Sequence, residues 1–170
     1  MSEIPRFSKA SLVVTTLLCG CAALTPVPTG QALIGQSSPA VEAQFGRAPE
    51  QYPRAEGGVR WLYPTRPLGP YTYAADFDQS GRLTAFNQIL TARNFFSTVR
   101  VGQSTQDDVL REFGKPDSIT DFPSMGGMRV WSYRFLNDGW WWSSMNFYFD
   151  GSNVVRHTQI TNDPLNLQIL

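Results

Sequence analysis

Two segments of this chain share one frame. Gly35–Pro49 reads GQSSPAVEAQFGRAP and Gly102–Pro116 reads GQSTQDDVLREFGKP. Both open on Gly-Gln-Ser-[Ser/Thr], pass through a helical stretch, and close on Phe-Gly, a cation and Pro. Further landmarks follow in the same order. Gly57-Gly58-Val59-Arg60-Trp61 answers Gly126-Gly127-Met128-Arg129 with Trp131 nearby. Phe77-Asp78 answers Phe149-Asp150, each followed by a glycine (Gly81, Gly151), and Gln88-Ile89 answers Gln159-Ile160. The offset drifts only between 67 and 72 residues. Such order over six landmarks is the signature of an internal duplication, so any fold must be one unit built twice.

Each copy has a readable layout. In the second, Ser104 or Thr105 caps a helix ending near Phe113, with Asp107 and Asp108 in the first turn where the helix dipole favours anions. Val109, Leu110 and Phe113 share its apolar face, and Phe113, like Phe45 in the first copy, is expected in the core. Gly114 and Pro116 stop the helix. A shorter helix is expected around Thr91–Phe96. Strands are predicted at Met128–Phe135, Trp140–Phe149 and Asn153–Thr161, with turns at Asn137-Asp138-Gly139 and Asp150-Gly151. The first copy repeats this, with Ser37 or Ser38 as cap and strands near Val59–Tyr63, Tyr71–Phe77 and Leu83–Ile89. The expected class is α+β: an αα-βββ unit, twice, with short links that force antiparallel pairing. The units are placed at 33–90 and 91–163, with a tail at 164–170.

The N-terminus reads as an address. Arg6 and Lys9 form a basic region, Ala10–Leu18 is a nine-residue apolar run too short to span a bilayer, and Leu18-Cys19-Gly20-Cys21 resembles the bacterial lipobox. Residues 1–20 are therefore a lipoprotein signal peptide. Cys21 is the lipidation site, which implies palmitate among its acyl chains, and residues 21–32 are the lipidated Cys and its tether. Ala22–Gly30 carries Pro26 and Pro28, which stiffen such a tether towards polyproline II. Ala22 and Ala23 stand where an Asp would resemble an inner-membrane retention signal, which favours the outer membrane.

The pattern Gly102, Thr105, Val109, Phe113, Gly114, Pro116, followed by an aromatic strand and a strand-Asp-Gly-strand hairpin, resembles the BamE (SmpA/OmlA) family of small outer-membrane lipoproteins. The tandem is similar to the β-lactamase-inhibitor-protein architecture. The resemblance implies an outer-membrane lipoprotein, anchored on the periplasmic face, that binds an envelope protein, such as the outer-membrane assembly machinery, in protein assembly or envelope integrity. The inhibitor-like tandem implies an alternative: binding to a periplasmic or extracellular hydrolase. The family's member in the assembly machinery is a single unit, whereas this chain carries two.

Composition narrows the chemistry. The chain has 14 Lys+Arg, 14 Asp+Glu, one His and two Cys. The charge balance makes nucleic acid a poor partner. Zinc-finger and disulfide-scaffold readings lack the cysteines they need. His157 stands alone, Asp107, Asp108 and Glu112 are explained by the helix dipole and solvation, and no nucleophile motif occurs. No enzyme, no cofactor and no metal site is expected. The candidate site is aromatic. Strand alternation puts Trp141, Ser143, Met145, Phe147 and Phe149 on one face and Trp140, Trp142, Ser144, Asn146 and Tyr148 on the other. Alignment with Tyr71, Tyr73, Ala75 and Phe77 makes the Trp141 face core, leaving Trp140, Trp142 and Tyr148 as candidate protein-binding residues.

Overall fold

The computed structural model describes residues 25–163. The signal segment 1–20, Cys21 and the tail 164–170 lie outside the described residues. The element order is α1 (Pro26–Gln31), α2 (Ser38–Phe45), β1 (Glu50–Pro53), β2 (Val59–Pro64), β3 (Thr72–Phe77) and β4 (Leu83–Gln88). There follow α3 (Ala92–Thr98), α4 (Gln106–Phe113), β5 (Ser118–Phe122), β6 (Met128–Asn137), β7 (Trp141–Phe149) and β8 (Val155–Asn162). The strands form two antiparallel sheets in sequential order, β1-β2-β3-β4 and β5-β6-β7-β8.

This corrects the expected αα-βββ class. Each half has four strands, because the segment after the turn that runs from Phe-Gly to Pro49 or Pro116 pairs as an edge strand. The molecule is correspondingly richer in sheet than expected. The expected tether is corrected too: Pro26–Gln31 is helical, with proline in its first turn, where a missing N–H costs nothing. A Cβ on Gly30 would lie 2.2 Å from the Phe86 ring, so glycine lets α1 seat directly on the sheet.

The two sheets match pair for pair. Arg60 faces Asp76 as Val130 faces Tyr148, Leu62 faces Ala74 as Ser132 faces Asn146, and both sheets carry a register shift just before Phe77 and Phe149. The bridge Ser37↔Arg82 corresponds to Thr105↔Val154. In both copies an aspartate closes the last hairpin. Asp78 Oδ1 accepts from the N–H of Ser80 (2.9 Å) and Arg82 (3.0 Å), and Asp150 Oδ1 from Ser152 (2.9 Å) and Val154 (3.1 Å). The left-handed residue there is Gly81 in one copy and Asn153 (φ 61°) in the other, so Asn153, not Gly151, is the counterpart of Gly81. Asparagine tolerates this region better than most residues.

Four layers result: α1 with α2, the first sheet, α3 with α4, and the second sheet. One core holds Val41, Ala75, Phe77, Leu83 and Phe86, between the first helical layer and the first sheet. The larger core gathers Phe95, Val109 and Phe113 from the middle helices, Tyr133, Phe135, Met145, Phe147 and Phe149 from the second sheet, and Leu62 and Ala74 from the back of the first. The middle helices thus bury apolar groups on both sides. Phe113 meets the rings of Phe95, Tyr133 and Phe147. Phe45 is only half-buried, against Tyr63 and Phe86, which corrects the expectation of a fully buried pair.

Candidate functional site

Asp138 (φ 50°) and Gly139 (φ 78°) both occupy the left-handed region, the geometry of a tight primed hairpin turn joining β6 to β7. Trp140 falls in this turn rather than in the strand and is 85% exposed. Trp141 opens β7 on the core face, yet it is 62% exposed. The expectation that Trp141 belongs to the core is corrected for a geometric reason. Its face is the core face, since Ser143, Met145, Phe147 and Phe149 are all buried, but Trp141 is the first residue of the strand, next to the hairpin turn, where the face is open.

Trp142 and Tyr148 lie on the opposite, outer face, both half-buried. The Arg134 guanidinium sits 4.9 Å from the centre of the Trp142 ring, a cation–π contact. Tyr148 donates to Gln159 Oε1 at 3.1 Å, and its ring centre is 5.2 Å from that of exposed His157. The middle of this face is internally satisfied. Ser132 donates to Asn146 Oδ1 (2.7 Å), and Asn146 Nδ2 reaches Thr161 Oγ1 (3.1 Å) and the carbonyls of Ser144 and Gln159. The three expected binding residues therefore separate: Tyr148 belongs to this closed polar mesh, while Trp140 and Trp142 stand at the hairpin end.

A groove of about 510 Å³ opens beside that end, lined by Arg66, Pro67, Gly69, Pro116, Asp117, Arg134 and Trp142. It is made by both copies. The β2–β3 loop of the first copy brings Arg66, Pro67 and Gly69, and the second copy supplies Pro116, Asp117, Arg134 and Trp142. Leu68, at the loop's crest, is 96% exposed. The walls are held by ionic contacts. Arg66 donates to the Lys115 carbonyl and pairs with Glu50 (3.3 Å) and Asp117 (3.6 Å). Glu50 Oε2 also accepts from the Lys115 N–H (2.9 Å) and the Tyr52 hydroxyl (2.7 Å). Burial and the Glu50 carboxylate push the Tyr52 phenol well above its ordinary pKa, so it stays a donor here. Arg134 Nε donates to Asp163 at 2.5 Å, and Asp117 accepts from the Arg134 N–H at 2.7 Å.

A second ionic seam joins the copies beneath. Arg60 grips Asp76 with two bonds (2.6 and 2.9 Å) and bonds the Glu112 carboxylate and carbonyl on α4. Burial opposes its charge, but these partners outweigh that and raise the guanidinium's pKa. Asp108, read as dipole complement, forms a full capping box with Thr105: the Thr105 N–H reaches its carboxylate at 2.8 Å and its own N–H reaches Thr105 Oγ1 at 3.2 Å. The Thr105 bonds pull its pKa below the usual carboxylate range. Asp107 is exposed.

Among the described residues no cluster of His, Cys, Asp and Glu could hold a metal ion, and no helix is long and apolar enough to cross a membrane. Sequence reasoning missed Leu68, Arg66 and Asp117, because only the apposition of the two copies gives them a common site. No protein-family model, no curated protein and no solved structure matches the chain.

Proposed function

We propose that this chain is a non-catalytic, lipid-anchored protein-binding module of the bacterial envelope, held through Cys21 on the periplasmic face of the outer membrane. The observation that carries the binding role is local. Leu68, Trp140 and Trp141 are 96%, 85% and 62% exposed; Leu68 stands in sequence between the groove residues Pro67 and Gly69, and Trp140-Trp141 lead into the groove residue Trp142. Exposed tryptophans beside a pocket with bidentate-capable arginines are the composition of interface anchors. The anchor is supported by the basic region, the short apolar run and Leu18-Cys19-Gly20-Cys21. The resemblance of Gly102–Pro116 to the BamE-like lipoproteins supports a role in outer-membrane protein assembly or envelope integrity.

The experiment is crosslinking in intact cells from a photoreactive residue placed at Trp141, with Tyr148 as the control position. An envelope-assembly protein captured from Trp141 alone supports the proposal, and equal capture from both positions overturns the site. The exposed Trp140 at a hairpin tip also suits a plug for an enzyme cleft, and capture of a hydrolase would favour that inhibitor reading. Mass spectrometry of detergent-extracted protein tests the anchor: an unmodified Cys21 rejects it.

A further inference from the structure

Strands β1, β4, β5 and β8 stand at the sheet edges. An open edge is a template for pairing, and natural chains blunt it with proline, charge or a covering segment. Three of these edges are blunted. At the start of β4, Gly35 donates to the Leu83 carbonyl (2.8 Å) and Leu83 to that of Gln36 (2.9 Å). At the start of β8, Gly102 donates to the Val155 carbonyl (2.7 Å) and Val155 to that of Ser104 (2.8 Å). Further along, β8 carries Arg156 and His157. β1 has only four residues and ends in Pro53. β5 has none of these devices. It runs Ser118-Ile119-Thr120-Asp121-Phe122, without proline or lysine, and every residue is exposed. Its single charge, Asp121, is matched by Arg129 on β6 at 2.7 Å. Ile119 is left 55% exposed. All of β5 pairs with β6, yet it buries no side chain, so burial contributes almost nothing to holding it in place.

We infer that β5 is a self-association edge: two molecules of this chain pair β5 to β5, antiparallel about a two-fold axis, and join their second sheets into one. The strand's own sequence selects a second molecule as the occupant. With Thr120 opposite Thr120, the whole strand overlaps, Ser118 faces Phe122 and Ile119 faces Asp121. Threonine pairs across strands are favourable, and this register opposes no like charges. Sliding the pair one step either way, with faces kept matched, sets Asp121 against Asp121 or against Asp117. A two-fold pair also consumes both open edges, so it closes instead of growing into a fibre. Five residues from each molecule make a smaller interface than permanent dimers have, so the dimer forms and dissociates with concentration. This inference does not rest on the partner-binding role of the hairpin end.

Charge placed at the two-fold axis tests it, in purified full-length chain over a rising concentration series. A photoreactive residue at Ser118 should yield a covalent dimer of the chain, whereas one at exposed Ser152, in the β7–β8 turn, should not. Thr120→Lys and Thr120→Glu should each lower the dimer yield from Ser118 several-fold, because each sets like charges opposite one another. Mixing the two variants, each with its own tag, should restore a dimer that carries both tags. Thr120 is exposed, so both variants should keep the melting temperature of the parent. The rescue separates direct apposition from any loss of fold, since two damaged chains would not repair each other. A parent chain that gives no dimer at the highest concentration overturns the inference. So does a dimer indifferent to charge at Thr120, or a mixture no better than either variant alone.

Discussion

The backs of the two sheets are equivalent in register and opposite in use. On the first sheet the outward residues Arg60, Leu62, Ala74 and Asp76 receive the helices of the second copy, through the Arg60–Glu112 bond and the burial of Leu62 and Ala74. On the second sheet the same four positions carry Val130, Ser132, Asn146 and Tyr148. Leucine has become serine, alanine has become asparagine, and the Arg–Asp pair has become Val and Tyr. The serine and asparagine bond each other, so the face closes its own polar groups. A stacked repeat needs one terminal unit with a polar outer surface, and this difference shows which unit that is. On the binding role proposed above, recognition is thereby moved off the sheet face to its hairpin end.

Four substitution pairs and one titration break or sharpen that contrast. Phe113→Ala should cost about 3–5 kcal/mol, the range for emptying a fully packed aromatic site, whereas half-buried Phe45→Ala should cost clearly less; equal losses in chemical denaturation would contradict the larger middle core. Leu62→Ala is expected to cost about 2–5 kcal/mol. Its counterpart Ser132→Ala removes one hydrogen bond to Asn146 and should cost about 1 kcal/mol. If Ser132→Ala were the worse of the two, the second sheet's back would be a covered face after all.

Gly114 and Gly46 both end helices with positive φ, but a Cβ at Gly114 would lie 2.7 Å from Glu50 Oε2 and 2.9 Å from Leu62 Cδ1, while Gly46 has open space around it. Gly46→Ala should therefore cost about 1 kcal/mol of backbone strain, and Gly114→Ala about 2–3 kcal/mol as the copies are pushed apart. Matching melting temperatures would mean the stacking is looser than it looks. Trp141→Ala should stay within about 1 kcal/mol of the parent, as exposed positions do, while Phe147→Ala on the same strand face should not.

The titration concerns the caps. Asp108 has a lowered folded pKa, so the stability it adds is present above the ordinary carboxylate range and is lost as pH falls through the folded value. The equivalent position in α2 is Ala40, which has nothing to protonate. Hydrogen exchange on acidification should loosen the start of α4 before that of α2, and Asp108→Asn should remove the difference.

The duplication was legible because turns and caps are written in residue types that do one thing: Thr105 with Asp108, Gly114, and Asp78 and Asp150 at the hairpins. The core face of β7 was legible through alternation. The fourth strand was not, because β1 is four residues, Glu50-Gln51-Tyr52-Pro53, with proline at its end, and β5 is exposed throughout. β1 is too short for its alternation to stand out, and β5 buries none of its residues, so it shows no pattern. Helix α1 was hidden by two prolines that suit a first turn as well as a tether. Trp142 could be picked from the sequence, but its Arg134 lid and the groove opposite depend on how two copies meet, which no local pattern encodes.

The docking of α1 has a mechanical outcome. With Pro26–Gln31 folded onto the sheet, the nine-residue leash expected between Cys21 and the body shrinks to the four residues from Ala22 to Thr25. Four residues extend to about 13 Å. If Cys21 bears lipid, the body is moored within roughly its own radius of the bilayer. Its search volume is then a shallow disc along the membrane plane, and a partner held in or against the same membrane meets it far more often than one diffusing through the periplasm.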